Sequence, residues 1–431
     1  MVSKEQLNAA LARQGLQSVA QANIRDIQTL SKALEQESGE PFIHLEMGVP
    51  GLKPSDIAFE AEVEALKGGC AAVYPPNAGI ARLHEAASRF VKAFIDVDVA
   101  PAHICATTGS MQGTFSVMMT MHHANPAKDT VLFIDPGFNV QKTQAQIIGL
   151  KGEHFDVHHC RGQQLLDRME DILRTGKVCL IVYSNPNNPS WICLSDEELQ
   201  GIGALATRYD VVVLEDLAYF AMDFRKDLSR PYEAPFQPSV AKYTDNYVMA
   251  ISGSKAFSYA GQRIGTLAIS DRLYVREYAP LGAFGVKSWG DFLSGRVLYT
   301  MSSGTAHAPQ HALAAMMEAA VEGRFDFVAE IREYGRRAKF MKDVLLRHGF
   351  YLVYDNDLGA PLADGFYFTT QYPGMTDIEL TAELMRYGIA VFPLESMGSD
   401  EQGVRICTSF ITDAQFPLFE QRISAFAADH R

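Results

Sequence analysis

Residues 179–189 read CLIVYSNPNNP, an apolar run that passes directly into a polar turn with two prolines. Near-continuous apolar runs of this kind are typical of strands covered on both faces of a sheet. Helical stretches lie between the runs, and one of them begins at Ser195-Asp196-Glu197-Glu198, which resembles a capping box. Alternating strands and helices predict an α/β fold with a mainly parallel sheet. The predicted strands are 130–134, 179–183, 210–214 and 247–251.

The pattern changes towards the carboxyl end of the chain. Helical periodicity runs from Ala312 to Arg347, and shorter strand-like pieces and a final helix follow. The first forty or so residues are also helical in pattern. We therefore expect a large domain at residues 48–305, with the mainly parallel sheet between helices. Residues 1–47 and 306–431 are expected to form a smaller α+β domain.

The composition argues against several classes of protein. The chain has 431 residues, with 38 Lys+Arg against 51 Asp+Glu, and a formal net charge of −13. An acidic chain without a basic run is a poor partner for nucleic acid or an anionic membrane surface. No apolar stretch is long enough to span a bilayer, and the first residues lack the apolar region of a signal peptide. We expect a cytoplasmic protein.

The cysteines and histidines do not form a metal-site pattern. The six cysteines are scattered without a CxxC pair, so we expect reduced thiols. His122-His123 and His158-His159 are adjacent pairs, whose side chains point in different directions along one element. No acidic or cysteine partner stands at ligand spacing, so no metal is expected.

Polar residues follow the predicted strands. In an open α/β sheet the ligand site lies beyond the carboxyl ends of the strands. A small-residue turn at 107–111 also opens a helical stretch and suits a bound anion. Together these positions supply an amine, a carboxylate, a phenol, amides and an arginine beside an anion site. That set fits pyridoxal phosphate, which needs a lysine for its Schiff base and a carboxylate for its ring nitrogen. The strand-end groups are Asn185-Pro186-Asn187-Asn188-Pro189, Asp216 with Tyr219, and Ser252-Gly253-Ser254-Lys255 with Arg263.

These motifs resemble those of the pyridoxal-phosphate-dependent aminotransferases of fold type I, in the class I/II family. The likeness extends from Leu45 to Arg405. It includes the Asn-Pro turn, Asp-x-x-Tyr, Ser-x-x-Lys with a following arginine, and the C-terminal arginine in Val404-Arg405-Ile406. The segment 74–79 resembles the one that carries an active-site tyrosine from a partner subunit. The family likeness implies that the smaller domain closes over the active site.

The resemblance implies a role for each matched residue. Lys255 would form the Schiff base and move the α-proton, and Tyr74 would reach the neighbouring subunit's phosphate. Arg405, Asn188 and Gly48 would bind the substrate, with Arg405 on its α-carboxylate. Three of these residues have an alternative, purely structural role. Ser110 and Asp216 could cap helices, and Phe138 could pack in the core. The implied cofactor-binding residues are Gly109, Ser110, Met111, Phe138, Asn188, Asp216, Tyr219, Ser252, Lys255 and Arg263.

The resemblance predicts an aminotransferase that works by a ping-pong mechanism on an amino acid and a 2-oxo acid, as a homodimer with shared active sites. A β-elimination lyase or synthase could use the same residues. A ligand-sensing regulator would carry a DNA-binding module before the fold, and about forty residues are too few for one. A dinucleotide dehydrogenase lacks its Gly-x-Gly-x-x-Gly here.

The sequence departs from the family after Pro189, where Ser190-Trp191 replaces the usual Thr-Gly. A tryptophan at this position is expected to narrow or reshape the pocket entrance. Arg296 lies in a plausible region for a second carboxylate, but no convincing motif surrounds it. The donor and the acceptor are therefore not assigned from the sequence.

Overall fold

A computed structural model describes residues 1–430 of the chain. Within that range no helix combines the length and the apolarity needed to cross a membrane. The helices are α1 (Lys4–Arg13), α2 (Ile24–Ser38), α3 (Asp56–Lys67), α4 (Ala81–Ile95), α5 (Gly109–Ala124), α6 (Asn139–Ile148), α7 (Gln163–Leu173), α8 (Asp196–Arg208), α9 (Asp271–Val275), α10 (Trp289–Phe292), α11 (Tyr299–Ser302), α12 (His307–Val321), α13 (Phe327–Arg347), α14 (Asp377–Arg386) and α15 (Phe416–Asp429).

The strands are short, as expected for a sheet interleaved with helices. They are β1 (Ile43–His44), β2 (Ile104–Thr107), β3 (Thr130–Asp135), β4 (Lys151–Asp156), β5 (Val178–Ser184), β6 (Val212–Asp216), β7 (Tyr247–Ser252), β8 (Gly265–Ile269), β9 (Tyr351–Leu352), β10 (Asn356–Asp357), β11 (Ala360–Pro361), β12 (Tyr367–Gln371), β13 (Ile389–Ala390), β14 (Phe392–Pro393) and β15 (Val404–Cys407).

Contacts divide the chain into two compact units. The larger unit contains residues 53–186 and 193–331, and the smaller unit contains residues 1–52, 187–192 and 332–431. The borders predicted from the sequence pattern are 47/48 and 305/306. The second border lies later in the structure because α12 packs on α3 and α4, which belong to the larger unit.

The larger unit is built on a seven-stranded sheet in the order β2-β8-β7-β6-β5-β3-β4. Strands β7, β6, β5, β3 and β4 pair in parallel, whereas β8 is antiparallel to both of its neighbours. The predicted α/β class with a mainly parallel sheet is confirmed. The parallel strands end at one edge, so the residues after β5, β6 and β7 lie near one another.

Both faces of this sheet are buried. Alternate residues of the strands pack with α5 in one hydrophobic cluster, which includes Leu180, Val182 and Met118. The intervening residues, such as Ile181 and Val213, are also fully buried. Since successive side chains point to opposite faces, the continuous apolar runs of the sequence reflect burial on both sides.

The smaller unit has a four-stranded antiparallel sheet in the order β14-β15-β12-β9, and β1 pairs in parallel with β13. Its main core is lined by α13, α14 and α15, through residues such as Val344, Leu384 and Phe426. A second cluster joins Leu7, Leu30 and their neighbours on α1 and α2 to Met385. The α+β character agrees with the sequence analysis.

The structure also modifies the predicted element boundaries. The periodicity from Ala312 to Arg347 covers two helices, because Gly323 adopts a left-handed φ of +69° and ends the first one. The strand predicted at 210–214 begins only at Val212, after Asp210 with a φ of +51°. The predicted capping box at Ser195 is present, with Ser195 and Glu198 bonded reciprocally.

Candidate functional site

In the larger unit, Asp216 and Lys255 lie close together at the carboxyl edge of the sheet. Asp216 is the last residue of β6, and Lys255 follows the end of its parallel neighbour β7. Asp216 is buried and Lys255 is half-buried. Burial raises the pKa of the Asp216 carboxyl, and the charge of Lys255 is near enough to oppose that rise. The structure thus brings together two of the predicted site residues.

The Asp216 carboxylate is held by two donors within a buried setting. Burial raises its pKa to about 6, whereas hydrogen bonds from the Ala218 N–H and from Gln141 act in the opposite direction. The Ala218 N–H donates to Oδ1 at 3.1 Å, and Gln141 Nε2 donates to Oδ2 at 2.9 Å. Gln141 is not among the site residues predicted from the sequence. Its position in the first turn of the helix that follows Phe138 is the feature that could have indicated a role at the site.

A second feature of the larger unit is an anion cradle at the start of α5. Gly109 has a φ of +66°, and a Cβ at this position would overlap the guanidinium of Arg263. Arg263 Nη1 donates to the Ala260 carbonyl at 3.0 Å and to Ser254 Oγ at 3.3 Å. No described acidic residue forms an ion pair with Arg263. A helix N-terminus beside an arginine without an acidic partner favours a bound anion.

The side-chain hydrogen-bond partner of Arg263 is Ser254, which is not among the predicted site residues. The predicted Ser252 is buried at the end of β7, and its Oγ accepts from the Ser254 N–H at 3.1 Å. Ser110 and Met111 lie in the first turn of α5, and a Cβ on Gly265 would lie 3.3 Å from the Ser110 nitrogen. The strand β8 therefore packs closely on this helix start.

The remaining predicted residues of the larger unit differ in exposure. Tyr219 is buried, and Phe138 is half-buried immediately before α6. Tyr74 is 85% exposed. The structure therefore presents Tyr74 on the surface of the chain.

In the smaller unit, Arg405 is buried without an acidic partner. It is 1% exposed and lies on β15. Its Nη1 donates to Asn188 Oδ1 at 3.0 Å, and its Nη2 donates to the carbonyl of Glu46. Its Nε has no hydrogen-bond partner among residues 1–430, and no described carboxylate pairs with it. Burial of an uncompensated charge is costly, so the arrangement favours an anionic ligand.

Aromatic rings surround this guanidinium. Its central carbon lies 4.5 Å from the centre of the Tyr367 ring and 5.8 Å from that of Phe392. A Cβ on Gly48 would overlap the Tyr367 hydroxyl, so the predicted substrate residue Gly48 lies against the same ring. Arg405, Asn188 and Gly48 are thus gathered in one place by the smaller unit.

Trp191 is found in the core of the smaller unit. It is 0% exposed, and its indole occupies the space beside Gly365 where a Cβ would lie. The expectation that Trp191 would shape a pocket entrance is not supported by this position, because a fully buried ring has no exposed face to line one.

Comparison with known proteins agrees with these observations. The family described as Aminotransferase class I and II matches residues 40–423. The chain belongs to this family. The resemblance stated from the sequence motifs is thereby confirmed.

Similar family members act on different substrates according to their names. An aspartate aminotransferase of Pyrococcus horikoshii is 25% identical over 59% of this chain and 62% of its own length. The glutamate-pyruvate aminotransferase AlaC of Escherichia coli is 28% identical over 59% of this chain and 61% of its own length. The chain thus matches about three fifths of these relatives. A probable N-acetyl-LL-diaminopimelate aminotransferase of Bacillus subtilis is 26% identical over 77% of this chain and 75% of its own.

Solved aminotransferase structures share the fold. A single mutant of Thermus thermophilus aspartate aminotransferase has a TM-score of 0.76 at 18% identity, covering 94% of this chain and 97% of its own. The aspartate aminotransferase of Thermotoga maritima has a TM-score of 0.75 at 18% identity, with coverage of 94% and 97%. At this level of identity the likeness establishes the fold.

Proposed function

We propose that the protein is a pyridoxal-phosphate-dependent aminotransferase, which moves an amino group between an amino acid and a 2-oxo acid. The observation that carries the proposal is the buried Asp216 carboxylate beside Lys255 at the carboxyl edge of the sheet. An amine and a carboxylate at this edge meet the two main requirements of the cofactor. Membership of the aminotransferase family supports the same conclusion.

The residues present also fit the phosphate end of the cofactor. The Arg263 guanidinium lies against Gly109 at the start of α5, so a phosphate bound by this helix terminus would also meet the arginine. Asp216 would face the ring nitrogen, with Tyr219 and Asn188 at the ring oxygen and Phe138 stacked on the ring. When bound, pyridoxal phosphate supplies a carbonyl carbon for the amine and a ring that accepts electrons from the substrate's α-carbon.

The chain itself supplies proton transfer and orientation. Lys255 Nζ would hold the cofactor between turnovers and carry the proton away from and back to the substrate. Arg405 would bind the α-carboxylate of both the amino acid and the 2-oxo acid, because both carry that group. One set of residues therefore serves both half-reactions.

We also propose a homodimer in the cytoplasm. Apolar side chains of the larger unit are exposed around Tyr74, including Leu66 and Val73. They line a surface cavity of about 570 Å³ together with His307. Exposed apolar patches mark association sites in soluble proteins. The six free cysteines are compatible with a reducing compartment.

A panel of amino donors and 2-oxo acids tests the reaction. The purified holoprotein is incubated with one donor and with pyruvate or 2-oxoglutarate, and the products are separated by chromatography. We expect one new amino acid for each new 2-oxo acid formed. Release of ammonia without a new amino acid would contradict the proposal and favour the β-elimination lyase.

A further inference from the structure

The turn at residues 187–192 is tightly closed on itself. The Trp191 N–H donates to the Asn187 carbonyl at 3.0 Å, and the Asn187 N–H donates to the Ile192 carbonyl at 2.9 Å. Ser190 Oγ donates to Asn187 Oδ1 at 2.7 Å. These bonds fix the positions of Asn188 and Trp191 relative to each other, since both belong to the same closed turn.

This turn reaches Arg405 directly through Asn188. The amide oxygen of Asn188 accepts from Nη1 at 3.0 Å, so it contacts the edge of the guanidinium. Asn188 is 4% exposed, which excludes most competing water from the bond. This contact restrains the guanidinium within its own plane.

The turn also reaches Arg405 indirectly through Trp191 and Tyr367. The indole of Trp191 meets the Tyr367 ring in a T-shaped contact, with 6.1 Å between centroids and 71° between planes. The Tyr367 ring lies under the guanidinium at 4.5 Å. This contact limits movement of the guanidinium in the direction perpendicular to its plane. Against the Trp191 indole, only a glycine fits at position 365.

We propose that Trp191 is a positioning residue that acts through Tyr367 to fix the plane of Arg405 for carboxylate binding. The inference rests on the proposed function, in which Arg405 binds the substrate carboxylate. A two-pronged bond between arginine and a carboxylate depends on the orientation of the planar guanidinium. The Ser190-Trp191 pair therefore replaces the small residues of the family with a support for the arginine.

Binding of amine-free carboxylates to the holoprotein tests the proposal without depending on turnover. The probes are 3-phenylpropionate and succinate, and their Kd is measured by isothermal titration calorimetry. Loss of an aromatic support under a buried guanidinium predicts a Kd increase of about 5- to 20-fold for both probes in Trp191→Ala. Trp191→Phe keeps a ring and is expected to stay within about 3-fold of the wild type.

Trp191→Ala leaves a large cavity, so Tyr367 provides a second test. Tyr367→Leu removes the ring under Arg405 and is expected to raise both Kd values about as much as Trp191→Ala. Tyr367→Phe keeps the ring and serves as its matched control. Phe350→Leu is a further control, because Phe350 is a buried aromatic residue of the same unit that packs on Tyr372 and Phe426. It should lower the melting temperature and leave both Kd values unchanged.

The Arg405→Lys variant separates failure of this inference from failure of the proposed function. If Arg405→Lys leaves both Kd values unchanged, Arg405 does not bind carboxylates and the proposed role is wrong. If Arg405→Lys weakens binding but Trp191→Ala and Tyr367→Leu do not, the positioning role is wrong. An equal effect of Phe350→Leu would show that general loss of packing explains the result, and would also overturn the inference.

Discussion

Gln141 donates its side-chain amide to the Asp216 carboxylate, with 2.9 Å between Nε2 and Oδ2. The two residues are 75 positions apart in the sequence, and both are buried. A neutral donor at this distance favours the ionised form of a buried carboxyl, which burial alone would suppress. In the proposed function, that ionised carboxylate would keep the cofactor's ring nitrogen protonated.

Gln141→Leu is expected to lower kcat by about 10- to 100-fold, because a hydrogen bond to a charged group contributes about 1.5–3 kcal/mol. Without this donor the pKa of Asp216 rises, so the acidic limb of the kcat–pH profile should also move to higher pH. Gln146→Leu is the matched control, since Gln146 is exposed on the same helix. Equal pH profiles for Gln141→Leu and the wild type would contradict the role.

Asp216→Asn is expected to remove part of the pH dependence of the apoprotein's stability. Burial raises the pKa of Asp216 to about 6 from an ordinary 3.8, so the folded state holds this proton more tightly than the unfolded state. The contribution of Asp216 to the free energy of unfolding therefore falls as pH rises from about 4 to about 6, by on the order of 3 kcal/mol, and is constant above that range.

Urea unfolding of the two apoproteins between pH 4 and pH 8 measures this effect. The free energy of unfolding of Asp216→Asn relative to the wild type should increase up to about pH 6 and then stay constant. The neighbouring Glu215, whose pKa burial raises to about 7, is present in both proteins and cancels in the comparison. If the difference in free energy of unfolding between the two proteins is independent of pH, burial does not raise the pKa of Asp216.

Gly109→Ala is expected to weaken cofactor binding by at least about 10-fold. The new methyl group would overlap Arg263, and the φ of +66° also disfavours alanine. Gly149→Ala is the control, because Gly149 has a φ of +92° with no neighbour within 4 Å. Spectroscopic titration of the apoproteins gives both affinities. If the two variants lose affinity equally, backbone strain explains the result. The proposal that the start of α5 binds the cofactor's phosphate would then be wrong.

The proposed homodimer should have twice the chain mass of 47.5 kDa in light scattering. Val73→Asp introduces a charge into the exposed apolar patch and is expected to shift the protein towards monomer. Val275→Asp is the control, since Val275 is also exposed and lies outside this patch. A wild-type protein that is monomeric at micromolar concentration would contradict the dimer.

The sequence allowed prediction of the parts of the site that follow from local pattern. Strand ends place Asp216 and Lys255 at the same edge because neighbouring strands are parallel. The contacts made by Gln141, Trp191 and Tyr367 could not be predicted, because they depend on the packing of segments that are far apart in sequence. Asn188 and Arg405, for instance, are 217 positions apart. The break at Gly323 was also missed, since helical periodicity continues across it.

Borohydride reduction identifies the lysine that holds the cofactor. The holoprotein is reduced with borohydride, digested, and mapped by mass spectrometry, with Lys255→Arg treated in parallel. We predict one reduced pyridoxal-phosphate adduct on the peptide that contains Lys255, and none in the variant. An adduct on another lysine, or a wild-type protein that binds no pyridoxal phosphate, would contradict the proposed role of Lys255.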